Sequence, residues 1–158
     1  MKRIFFIIAF IATVIVQPGF AQQNNNTPSN SLISYYYGIK DALVAGDSKL
    51  ASVKAEDFIK VLNNTDPQLV DVTKKKLLTD DARQITANKE LKSQRDHFAD
   101  LSANMIMLVK TSKLSAEPIY ELYCPMKKSN WLSNEKAVKN PYYGSAMLTC
   151  GKVTETIK

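Results

Sequence analysis

From residue 22 to residue 96 the chain contains no histidine, no cysteine and no methionine. The whole sequence has a single histidine, two cysteines and five glycines among 158 residues. One histidine excludes the zinc hydrolase sites that need several. The few glycines form no loop that could cradle a phosphate, and the cysteines do not form a C-x-x-C pair, so a thioredoxin-like centre is not expected. Asp96, Asp100 and Ser102 neighbour His97 on one predicted helix, with no glycine elbow for a nucleophile, and an enzyme is not expected. Basic residues exceed acidic ones by a net +6, but the lysines are scattered rather than grouped with aromatics. They read as solvated faces, and nucleic acid is not an expected partner.

What is present starts with a basic, apolar N-terminus. Lys2 and Arg3 precede an apolar run from Ile4 to Val16, interrupted by Thr13, and Gly19-Phe20-Ala21 offers small residues for cleavage. Residues 1–21 therefore read as a secretory leader, and the chain as exported, periplasmic in a bacterium. No second apolar run of that kind follows, so no stable membrane insertion is expected once the leader is removed. Residues 22–30, polar and containing Pro28, read as a disordered tether, which leaves residues 31–158 as one domain.

Four segments carry helical periodicity. Leu32, Tyr36, Ile39 and Leu43 recur at spacings of three and four, and Gly46 stops the run. Asp47 or Ser48 can cap a second helix with the stripe Ala51, Ala55, Phe58 and Leu62. Pro67 is placed to open a third, roughly 67–87, bearing Val70, Leu77, Leu78, Ala82 and Ile85. A fourth, about 89–110, carries Phe98, Leu101, Met105 and Leu108. The expected fold is mainly α: an antiparallel bundle of three or four helices. Ile119 to Cys124 favours a strand, residues 125–144 are rich in turn formers, and Ala146 to Val153 reads as the returning strand. The C-terminus is thus expected to be a small β-hairpin or looped cap.

The sulfur atoms gather in that cap. Cys124-Pro125-Met126 and Met147-Leu148-Thr149-Cys150-Gly151 each join a thiol to a thioether, the donor set that Cu(I) and other soft cations prefer. The plain alternative is a Cys124–Cys150 disulfide, stabilising by about 3.5 kcal/mol in the chain-entropy model. The two states exclude each other, because a disulfide has no thiolate to donate. Thioethers escape that limit, so a structural disulfide with metal held by Met126, Met147 and His97 is a third arrangement. Met105 shares the helical face of Phe98 and Leu101 and is expected to be packing. Trp131 is expected to be buried against the helices.

Cys124-Pro125-Met126, Trp131-Leu132-Ser133, Asn140-Pro141-Tyr142-Tyr143-Gly144 and Met147-Leu148-Thr149-Cys150-Gly151 occur together, downstream of a Gln94–Ser102 helix segment. This pattern resembles a family of small exported bacterial domains of unknown function, from about Tyr35 to Val153. Such domains stand alone or follow CusB-type periplasmic adaptors of copper and silver efflux pumps. The resemblance implies heavy-metal handling beside an efflux adaptor, and places the Gln94–Phe98 stretch in the matching region, which makes His97 a possible fifth donor.

The sequence thus leads to an exported accessory domain that binds Cu(I) or Ag(I) through Cys124, Met126, Met147 and Cys150, with His97 in reserve. The rival expectation is a metal-free module, stapled by Cys124–Cys150, that recognises an envelope protein through Trp131, Tyr142 and Tyr143.

Overall fold

The structure, a computed structural model, describes residues 28–158. The leader expected over 1–21 and residues 22–27 of the tether lie outside the described residues, whereas Pro28–Asn30 begin the first helix. Among the described residues four helices follow in order: α1 (Pro28–Ala45), α2 (Ser48–Asn63), α3 (Val72–Ala87) and α4 (Leu91–Thr111). Strands β1 (Ile119–Cys124), β2 (Ser129–Ser133) and β3 (Lys152–Ile157) complete the chain, with one 3-10 turn at Gly144–Met147. Among the described residues, no helix is long and apolar enough to cross a membrane.

The stripes expected on α1, α2 and α4 are the buried ones. Leu32, Tyr36, Ile39 and Leu43 meet Ala51, Ala55, Phe58 and Leu62, and with Phe98, Leu101, Met105 and Leu108 they form the core. Burying the leucine, isoleucine, methionine and phenylalanine side chains among them stabilises by roughly 1.5–3 kcal/mol each. Gly46, at φ +77°, ends α1 in the left-handed conformation that glycine adopts without penalty. Asp47 then caps α2 by accepting the Leu50 N–H at 2.9 Å.

The third helix departs from expectation at its start. Asp66 accepts the backbone N–H groups of Leu69 and Val70, so Pro67 opens one isolated turn. α3 begins afresh at Val72, where Asp71 accepts the Lys74 N–H at 2.9 Å. A second aspartate cap out-competes continuation of the first turn. Leu77 is 45% exposed, because Leu78, Ala82 and Ile85 already fill the inward face. Gln94 ties three helices together: its buried amide nitrogen, Nε2, donates to Ser48 O at 2.9 Å and Asn88 O at 2.8 Å, with Ser52 Oγ at 3.0 Å.

The cap is a three-stranded antiparallel sheet in the order β2-β1-β3, rather than a two-stranded hairpin. β2 occupies a stretch expected to be loop, because Ser129 and Asn130 mask a strand built on buried Trp131 and Leu132. The last strand starts at Lys152, beyond Ala146, since Gly144–Met147 winds into the 3-10 turn. Tyr36 fixes the sheet to the helices. Its fully buried hydroxyl shares a hydrogen bond with Ser102 Oγ at 2.7 Å and accepts the Leu132 N–H at 3.1 Å. Rings continue the join, with Tyr36 stacked on Phe98, Phe98 tilted against Tyr142, and Tyr142 edge-on to Trp131.

Candidate functional site

β1 ends on Cys124, and the pairing of Tyr123 with Lys152 brings the start of β3 alongside it. That register draws the two sulfur-bearing segments together. The two thiols are near enough for Cys124 to act on Cys150 electrostatically, and the Met126 backbone acts on the Cys150 sulfur as well. Both cysteines are free thiols. Cys124 is fully buried and Cys150 half-buried, so the pair has one inner and one outer member.

Backbone geometry shapes the chain on both sides of the thiols. Lys128, at φ +56°, closes a turn in which its N–H reaches Cys124 O at 2.8 Å. Within that turn the Lys127 N–H approaches Cys124 Sγ at 3.4 Å. On the other side Cys150 N–H donates to Met147 O at 3.0 Å. Gly151, at φ +152°, admits the Trp131 ring: a Cβ there would stand 2.7 Å from Trp131 Cη2 and 3.1 Å from Tyr123 O.

Asn140 organises the thiol pair, and the sequence marks it only as part of a turn. Fully buried, it donates from Nδ2 to Cys124 Sγ at 3.2 Å and to Cys150 O at 2.6 Å. Its Oδ1 accepts the Tyr142 N–H at 2.8 Å, and its own N–H donates to Leu148 O at 2.8 Å. An Asn-Pro pair signals a turn in any sequence, and nothing in it reports that the amide faces inward. Burial raises the Cys150 thiol above its ordinary value; the neighbouring Cys124 adds to this, and the Met126 N–H opposes it.

The thioethers stand at the rim. Met126 is 60% exposed and Met147 39%, so neither fills the core, whereas Met105 is wholly buried as packing. His97 lies elsewhere. Asp81 of α3 lies within electrostatic range of it. Of the α4 residues that border the cap, Arg95 and Ala99 sit roughly 160° around the helix from His97, and Asp96, ion-paired with Lys127, about 100°. His97 is thus on the flank away from the sulfurs. Trp131 and Tyr142 do not present a partner surface: both are buried in the ring chain that anchors the sheet, and only Tyr143 is partly exposed.

Residues 32–117 match the model of one protein family, described as protein of unknown function, DUF3347. The chain belongs to the DUF3347 family. The match spans all of α1's described side chains through the end of α4 and stops before β1, so this DUF3347 chain carries its thiol pair outside the matched region. The association with CusB-type adaptors is not part of that finding. No curated protein and no solved structure matches the chain.

Proposed function

We propose that this protein binds a soft monovalent cation, Cu(I) or Ag(I), between Cys124 and Cys150, in an exported compartment. The meeting of the two thiols carries the reading. Thiolates select soft cations over the harder ions, and binding would release the thiol protons. The inner sulfur is held by the Asn140 amide and the Lys127 N–H, as the ligands of metal sites are commonly held by surrounding donors. Met126 and Met147, exposed beside the pair, are suited to add thioether donors or to pass the ion to an efflux adaptor. His97 has no part in this site.

The nearness of the two thiols also suits a second reading, a Cys124–Cys150 disulfide formed on oxidation that staples β1 to the start of β3. This reading no longer includes a Trp131 and Tyr142 recognition surface. Titration of the reduced protein with Ag(I), followed by native mass spectrometry, tests the first reading. One ion bound per chain, lost in Cys124→Ser with Cys150→Ser and weakened in Met126→Ala with Met147→Ala, is the expected result. Retention of the ion by the double cysteine variant overturns it. Two blocked thiols and no metal in protein taken from its native compartment would establish the staple instead.

A further inference from the structure

We propose a second binding site, for a small oxyanion, in the cavity between the first turns of α4 and the cap. The cavity has a volume of about 360 Å³ and is lined by Lys92, Arg95, Asp96, Lys127, Tyr142 and Tyr143. Three cationic side chains thus face one carboxylate. That carboxylate, Asp96, is ion-paired with Lys127. Lys92 has no carboxylate partner among the described residues. Arg95 donates from Nη2 to Leu43 O at 2.9 Å, which fixes its guanidinium, while its buried Nε has no hydrogen-bond partner among the described residues.

A positively charged cavity with donors left over suits a carboxylate or a phosphate, for which Arg and Lys supply charge-assisted hydrogen bonds. The volume accommodates a small molecule, and the Tyr142 and Tyr143 rings give a carbon skeleton an apolar wall. Asp96 is the internal competitor: an incoming oxyanion takes over the Lys127 ammonium from it. No cysteine lines this cavity, so the site stands apart from the metal reading.

The test uses the full chain carrying Cys124→Ser and Cys150→Ser, which removes any contribution from metal. Inorganic phosphate and benzoate are titrated separately at low ionic strength, with NMR shifts of the Lys127 and Tyr143 amides as the readout. Saturable binding is expected, weakened about tenfold in Lys92→Gln with Lys127→Gln, two charge-assisted contacts being lost. Asp96→Asn should tighten it, and Lys128→Gln, which borders a different cavity, should leave it unchanged. Stronger binding of benzoate assigns the site to organic carboxylates, and stronger binding of phosphate to phosphate esters. If the double lysine variant loses its folded spectrum, Lys92→Gln alone serves, since that side chain holds no ion pair. Absence of saturation with both probes, or saturation indifferent to the lysine and Asp96 variants, overturns the proposal.

Discussion

The Asn140 amide donates to Cys124 Sγ at 3.2 Å and, from the same nitrogen, to the Cys150 carbonyl at 2.6 Å, so a single side chain holds both halves of the thiol pair. Truncation to Asn140→Ala would orphan the buried Tyr142 N–H and the Cys150 carbonyl, at a cost of about 1–3 kcal/mol for each group left unsatisfied. The predicted outcome is a lowered midpoint in thermal unfolding together with faster alkylation of Cys124. A variant with wild-type stability and unchanged thiol reactivity would remove Asn140 from the organisation of the site.

Cys150 should respond to Cys124 in its chemistry. Burial and the adjacent thiol hold Cys150 in its protonated form above the ordinary thiol range. Its alkylation by iodoacetamide at neutral pH should therefore be slower than that of an unstructured thiol, and should rise with pH as the thiolate forms. Cys124→Ala removes one of the two raising influences, so the Cys150 rate should increase severalfold at the same pH. A rate insensitive to that substitution would contradict the influence of Cys124 on the Cys150 sulfur.

Tyr36 predicts a sensitivity to alkali. Burial raises its phenol well above the ordinary value, against the hydrogen bonds from Leu132 and Ser102, and burial raises Tyr37 and Tyr142 as well. The folded state therefore keeps protons that the unfolded chain releases. The stabilisation is fully present below the usual tyrosine range, near pH 10, and is lost as pH climbs from there through the folded values. Tyr36→Phe should flatten this alkaline limb while costing about 1–3 kcal/mol at neutral pH, because the Leu132 N–H loses its acceptor. Denaturant unfolding across the alkaline range measures both effects.

Gly151→Ala should damage the cap more than the helices. The new Cβ would press on Trp131 Cη2 and the Tyr123 carbonyl, at a φ that other residues rarely adopt. A loss of about 1–3 kcal/mol follows from such backbone strain and overpacking. Tryptophan fluorescence should shift while far-ultraviolet helical signal persists, and an unaltered emission spectrum would show that the Trp131 contact is absent in solution.

Peroxide should sort the methionines by exposure. Met107 and Met126, more than half exposed, are expected to become sulfoxides well before Met105, which is sealed in the core. Peptide mass spectrometry after a short treatment distinguishes them. Early oxidation of Met105 would mean that the α4 core face opens to solvent.

Much of the helical architecture could be read directly because a helix needs only its own periodicity and caps to announce itself. Leu32, Tyr36, Ile39 and Leu43 sit one turn apart, and Asp47 stands where an N-cap must. Leu77 shows the limit: Leu77 and Leu78 are chemically equivalent, and only the packing of α3 chooses Leu78 for the interior. β2 was hidden for a related reason, since a five-residue strand with Ser129 and Asn130 at its start has too little alternation to stand out from turn residues.

The sequence alone determined that four helices form and which stripes they bury, which residues carry sulfur, and that the cysteines fall in two separate islands near the C-terminus. Tertiary structure decided that the islands meet, that Asn140 holds them, that the thioethers face outward, and that His97 turns toward α3. The division has a physical cause. Periodicity and capping act over a few residues and leave a mark in local order, whereas strand register and burial depend on partners distant along the chain, whose contacts no local pattern encodes.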